Sequence, residues 1–512
     1  MNDFPTTVAK LLETGASASV ALSAPAGIPL SYGALRALAG STLGQLNQHG
    51  VGRNDRVAIV LDNGPEMAAA FLSIASGCTA APLNPQYRFE EFEFYLSDLH
   101  ARILIIEEGK SSPAVEVAAA LKIPVVRLRA TPQRGAGSFV VEFPPGMESR
   151  PAERTGVAEP DDIALVLHTS GTTSRPKIVP LAQRNVCASA RNVRATLQLS
   201  AQDKGLNIMP LFHIHGLIAG TLAPLSAGGE VCCSGGFNAL KFFSWIAEVQ
   251  PTWYTAVPTM HQAILARAPR SLDVIAANPL RFIRSSSSSL APQIIGELER
   301  VFGAPVIESY GMTEAAHQMT SNPLPPSARK PGSVGIAAGP EVCILDTEGH
   351  QVPRGATGEI AIRGENVTAG YENNPKANAE AYSHGWFRTG DQGVMDADGY
   401  LTITGRLKEI INRGGEKISP REVDEVLLDH PSVQQCCTFA LPHDKLGEDV
   451  AAAVVLREGC AAQEKELREF AARRLADFKV PRKILILEEI PKGATGKIQR
   501  IGLAQKLGLT SG

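Results

Sequence analysis

Short apolar runs alternate with longer amphipathic stretches through the first two thirds of the chain. The run at 56–61 (RVAIVL) predicts a buried strand, and 66–76 a helix after it. Residues 102–106 (RILII), 123–128 (IPVVRL) and 163–167 predict three more strands. Strands that alternate with helices predict parallel sheets in an α/β fold. Residues 129–161 are rich in Pro, Gly and Arg and read as surface connection. After about residue 340 the texture changes. Short strands at 342–345, 358–363 and 400–404, separated by Gly and Asp turns, predict a small β-barrel or meander. Beyond Arg406 a third texture begins: helix at 422–428, strand at 451–456, helix at 465–475 and strand at 483–487. The expected division is a large α/β domain over 1–405, including the barrel-like part, and a small α+β domain over 406–512.

Composition narrows the function classes. The 512 residues carry 49 Lys plus Arg against 52 Asp plus Glu, a net charge of −3, which speaks against a general nucleic-acid binder. Eight cysteines, with no CxxC, make neither a disulfide scaffold nor a zinc site. The apolar stretch 67–83 is interrupted by Ser, Gly, Thr and Pro and is too short to span a bilayer. The first residues lack a signal-peptide core, and the last four, LTSG, are no peroxisomal address. The expected compartment is the cytoplasm.

The chemistry concentrates in a few segments. Residues 168–177 read HTSGTTSRPK and follow a strand. Thr169, Ser170, Gly171, Thr172, Thr173 and Ser174 let backbone approach a polyphosphate, with N–H and O–H groups toward its oxygens, and Lys177 adds charge. GxxxxGK[ST] is absent, so this is no Walker A loop; GxSxG and GxGxxG are absent too, which disfavours a serine hydrolase and a dinucleotide-binding dehydrogenase. A solvated Ser/Thr turn is the plain alternative for such a segment. Further on stand YGMTE (310–314), WFRTGD (386–391), GRLKEIINRGGEKISP (405–420) and PKGATGKIQR (491–500).

In this order the five segments resemble the adenylate-forming superfamily of acyl-CoA synthetases, luciferases and amino-acid adenylation domains, over about residues 30–507. Ser174 and Ile178 stand where that family often has Gly. The resemblance implies ATP, Mg²⁺ and coenzyme A as reactants or cofactors, small-molecule partners, and two half-reactions. A carboxylate is first joined to AMP with loss of pyrophosphate, and the acyl group then passes to CoA. It implies a nucleotide site of the phosphate loop with Glu308, Ser309, Tyr310 (on adenine), Thr313 (on the α-phosphate), and Asp391 and Arg406 (on the ribose). Glu314 and Thr172 would hold the metal. Lys497 would bridge carboxylate and α-phosphate, Lys408 would be the hinge of a rotating C-terminal domain, and Gly414, Gly415, Glu416 and Lys417 would face the pantetheine.

For the acid, PLFHIHG (210–216) places His213 at the family's gate and adds His215. RFIRSSSSSL (281–290) replaces a Gly- and Ala-rich turn with serines, which makes the wall polar. His317, three residues after Glu314, is expected on the next helical turn, facing the same cavity. His213, His215, Arg284, Ser287, Ser289 and His317 thus suit a small acid with a second anionic group, whereas a fatty acid needs an apolar tunnel. The set is most similar to oxalate–CoA ligases, with malonate or another short acid second. A free-standing amino-acid adenylation domain or a non-catalytic acyl or nucleotide sensor are the rival classes. Oligomeric state is not legible in the sequence.

Overall fold

The computed structural model describes residues 4–147, 149–169, 176–492 and 498–509. The chain divides into two compact units: Met1–Thr169, Lys177–Glu341 and Arg363–Glu380 form the first, and Val342–Ile362 with Ala381–Gly512 the second. The units therefore part earlier than the expected 405/406. The strands between Glu341 and Arg406 pair among themselves in one sheet, Thr357–Arg363 with Trp386–Met395 and that strand with Leu401–Arg406, and most of this sheet belongs to the second unit.

In the first unit a seven-stranded sheet runs in the order Phe139–Glu142, Val125–Ala130, Ile103–Glu107, Arg56–Val60, Thr79–Pro82, Ile163–His168, Ile178–Ala182. Its centre is parallel and apolar on both faces, as the runs of Ile, Val and Leu dictate. The edge strand Phe139–Glu142 lies inside the segment expected to be surface connection. It pairs antiparallel with Val125–Ala130. A nine-stranded sheet carries Trp253–Ala256, Phe282–Ser285 and Val306–Met312 side by side in parallel, and His317–Ser321 antiparallel at their flank.

In the second unit the expected barrel or meander is a five-stranded sheet with antiparallel pairings. A further five-stranded sheet holds the long hairpin Val433–His443 with Gly447–Leu456. Helices Pro420–Leu428 and Glu464–Ala472 cover its core of Ile411, Val423, Leu427, Val450, Val454 and Leu467. Among the described residues no helix is long and apolar enough to cross a membrane, and all eight cysteines are free thiols.

Candidate active site

The site in the first unit is built at the ends of the parallel strands of the nine-stranded sheet, where open α/β sheets bind ligands. The register sets Thr255 beside Arg284 on neighbouring strands, and Trp253 beside Phe282 two residues earlier on the same face. The Trp253 and Phe282 rings stack at 5.2 Å, so an apolar layer lies next to a polar one.

Arg284 is fully buried. Its Nη1 donates to His215 Nε2 at 3.3 Å and to Thr255 Oγ1 at 3.4 Å, and its Nη2 to Gln318 Oε1 at 3.3 Å. Its Nε has no hydrogen-bond partner, and no carboxylate pairs with it among the described residues. Burial pulls this guanidinium down to about 9 from its ordinary value, which leaves it a cation at neutral pH. His215 opens a π-helical segment, His215–Leu222, a geometry common at functional sites. Its Nδ1 lies 3.0 Å from Ser287 Oγ and its Nε2 2.6 Å from Thr255 Oγ1. His317 stacks on it, with ring centroids 4.8 Å apart.

Ser287 takes a left-handed backbone, φ 72°, which costs a non-glycine residue about 1–3 kcal/mol. Its neighbours hold it there. Ser286 Oγ donates to the Ser309 carbonyl, Ser309 Oγ to the Ser285 carbonyl, and the Leu290 N–H to Glu308 Oε1. Glu308 and Ser309, expected at the nucleotide, thus pin both ends of the serine turn. Ser289 is exposed, away from the cluster that Ser287 joins. Ser289, expected at the acid together with Ser287, is turned from it by the left-handed residue between Ser286 and Ser288.

His317 is also not on a helix. Thr313–Ala315 is a single 3₁₀ turn, Ala316 is left-handed at φ 46°, and His317 begins the strand His317–Ser321. The strand folds back on Val306–Met312 with a register shift after Tyr310. A Cβ at Gly311 would lie 1.7 Å from the His317 carbonyl oxygen, so this position of YGMTE must be glycine. The sharp return, rather than a helical turn, brings His317 to His215. His213 is half-buried beside Phe212, with ring centroids 5.4 Å apart.

Tyr310 is buried, and Thr313 half-buried. Glu314 is buried and accepts a hydrogen bond from Tyr371 OH at 2.8 Å; the Tyr371 ring in turn faces Lys177 Nζ at 4.3 Å. The Lys177 N–H donates to Thr169 Oγ1 at 3.2 Å. Tyr371, Thr255 and Gln318 were not found by sequence reasoning. The signal for Thr255 is strand alternation with Trp253; Tyr371 is a lone aromatic after Gly370, 57 positions from its partner. Ser170, Gly171, Thr172, Thr173, Ser174 and Lys497 lie outside the described residues.

The second unit carries its own candidates. Asp391 and Arg406 face each other across an antiparallel ladder and form an ion pair of 3.0 Å. Lys408 is exposed just past that strand, where the Leu407 N–H donates to the Gly390 carbonyl. Gly414 and Gly415, at φ 60° and 103°, make the two-residue tip between Ile411–Arg413 and Glu416–Ile418, where only such residues turn a hairpin freely. Glu416 and Lys417 are exposed beside it.

Residues 14–372 match the model of the AMP-binding enzymes, and 422–497 that of the AMP-binding enzyme C-terminal domain. The chain belongs to the AMP-binding enzyme family. It is 48% identical over 461 residues to an oxalate–CoA ligase of Arabidopsis thaliana, with 89% of each chain covered. It is 42% identical to one of Saccharomyces cerevisiae, covering 90% of this chain and 88% of that one. The crystal structure of ATP-bound MatB from Rhodopseudomonas palustris superposes with a TM-score of 0.87 at 27% identity, over 98% of both chains. The protein is an AMP-forming acid–CoA ligase, and its substrates are small molecules. The family uses ATP and CoA with a divalent metal. Glu314 fits such an ion: a magnesium bound mostly by substrate phosphates and water needs one or two protein carboxylates, not a cage. Among the described residues no cluster of three metal-ligating side chains exists.

Proposed function

We propose that the acid is oxalate and that the metal is Mg²⁺. The observation that carries this reading is Arg284, a fully buried cation whose partners are all neutral. An unpaired buried charge is expensive, and a bound anion compensates it. While one oxalate carboxylate takes AMP, the other stays anionic beside the reacting carbonyl. Ser287 is hydrogen-bonded to His215, the ring that Arg284 bonds, and His317 stacks on the same ring, so the two stand as donors beside the cation. A short diacid fits so compact a group of polar side chains, and a fatty chain does not. The named activities of the relatives at 42–48% identity point the same way.

In this reading Lys497 bridges the carboxylate and the α-phosphate as the anhydride forms. Thr169 to Ser174 with Lys177 cradle the triphosphate, and Glu314 with Thr172 holds Mg²⁺, which neutralises phosphate charge when bound. Thr313 contacts the α-phosphate, Tyr310 the adenine, and Asp391 and Arg406 the ribose. His213 stands nearer the reacting carbonyl. Residues 406–512 turn about Lys408 between half-reactions, and Gly414 to Lys417 then serve the pantetheine. Free thiols throughout suit the reducing cytoplasm.

Pyrophosphate release with ATP, CoA and a panel of acids tests the reading by kcat/KM. Oxalate should lead, ahead of malonate and acetate; a preference for medium-chain fatty acids would refute the polar site. Lys497→Ala should lose adenylation yet keep thioester formation from supplied acyl-adenylate, and equal loss in both would refute the rotation.

A further inference from the structure

The buried chain around Arg284 has a direction. A guanidinium only donates, so His215 Nε2 is the acceptor of the 3.3 Å bond from Nη1. Thr255 Oγ1 accepts from the same Nη1 and lies 2.6 Å from Nε2, so its hydroxyl proton points at the ring. A ring nitrogen that accepts carries no proton, so the ring cannot hold two. The single ring proton is therefore on Nδ1 and is donated to Ser287 Oγ. Ser287, accepting from the ring, keeps its own proton for a ligand.

The opposite tautomer reverses every polarity. An Nε2–H would meet the Arg284 donor head-on. Ser287 would then donate to Nδ1 and turn only lone pairs outward, which repels an anion. Gln318 is fixed in the same sense. Its amide nitrogen donates to Thr196 Oγ1 at 3.0 Å and to the Ala338 carbonyl at 3.1 Å, so its oxygen faces Arg284.

We propose that Thr255 is a positioning residue for acid selection: its hydroxyl, oriented by Arg284, gives His215 Nε2 its shorter hydrogen bond, reinforces the Nδ1–H tautomer that the guanidinium favours, and so aims the Ser287 proton at the substrate's second carboxylate. This rests on the dicarboxylate reading above. Thr255 Oγ1 bonds His215 and Arg284, and the parallel register beside Arg284 is what places it.

The test is Thr255→Val, which removes the hydroxyl at nearly constant volume, against Thr255→Ser, which keeps it. One charge-assisted hydrogen bond lost corresponds to about a tenfold rise in KM for oxalate with kcat within about twofold. The Ser variant should restore KM, and acetate should be unaffected by either change. In ¹⁵N-imidazole spectra, with His215 assigned through His215→Gln, the wild type should show Nδ1–H at His215, and Thr255→Val should shift toward a mixture of tautomers, because the longer 3.3 Å bond from Arg284 then acts on Nε2 without the 2.6 Å one. An unchanged tautomer in Thr255→Val, equal losses on oxalate and acetate, or no rescue by Ser would each overturn the proposal. Wild-type acid preference separates the two ideas. If a monocarboxylate wins, the oxalate reading falls and with it the selective role, while the spectra still decide whether Thr255 reinforces the tautomer.

Discussion

Arg500 and Arg284 both lie in buried polar clusters, and their surroundings are opposite. Arg500, in the second unit, donates to Asp424 Oδ2 at 2.7 Å, lies 3.2 Å from Glu409 Oε2, and bonds the Thr438 carbonyl at 2.9 Å. Burial would lower it, but Asp424 above all overrides that and holds the guanidinium above its ordinary value. About a quarter of its side chain still reaches solvent. Arg284, in the first unit, reaches none, has only neutral partners, and is pulled down to about 9. A cation that brings its own anions is complete as folded and ties helix Pro420–Leu428 to the C-terminal segment. A cation that lacks one is costly until a ligand supplies it. The contrast separates a structural arginine from a binding one by partners, where burial alone would rank them the other way.

Removing each arginine should therefore break different things. The largest effect is expected for Arg500→Met. Burial already pushes the Asp424 carboxyl up and Arg500 opposes that push, so the variant leaves a buried acid unpaired. Such a loss costs roughly 3–5 kcal/mol, measurable as a lower denaturant midpoint. An Asp424→Asn partner change in the same background should recover part of it. If Arg500→Met unfolds like wild type, the ion cluster is not structural.

A smaller effect is expected at the edge of the Arg284 group. His317→Ala removes the ring stacked on His215 and should lower kcat/KM for oxalate by roughly ten- to a hundredfold, with far less effect on acetate. Comparable losses on both acids would reduce His317 to a packing role.

The smallest effect concerns a buried base on the backbone of Arg284 and Ala256. His261 is fully buried beside Tyr254 OH, and burial takes it down to about 3. Below about pH 6.5 the unfolded chain binds a proton there that the folded chain refuses, so stability falls as pH drops through that window. Between pH 7 and 5 the wild type should lose about 2 kcal/mol more than His261→Leu, measured by urea unfolding. Parallel losses in the two proteins would exclude His261 as the source.

The sequence made the scaffold and the order of the motifs readable because strand periodicity is local. The run at 56–61 became Arg56–Val60, and 163–167 became Ile163–His168. The geometry of the acid site was less readable. The spacing from Glu314 to His317 fits a helical turn as well as a 3₁₀ turn followed by a folded-back strand. Only the missing side chain of Gly311 permits the latter. The serine run reads as one unit, yet Ser287 joins His215 while Ser289 faces solvent. Phe139–Glu142 hid in a Pro- and Gly-rich stretch because a four-residue edge strand leaves little pattern. That Arg284 lacks an acid partner is a property of several strands and a helix meeting, and no run of neighbours records it.

The most direct test of that unpaired cation is Arg284→Met, followed by both unfolding and activity on one sample. The variant should be as stable as wild type or more so, because an apolar side chain replaces an uncompensated buried charge. Its kcat/KM for oxalate should fall about a hundredfold or more, with acetate little changed. A variant that is strongly destabilised, or that loses oxalate and acetate alike, would contradict an unpaired, acid-binding Arg284.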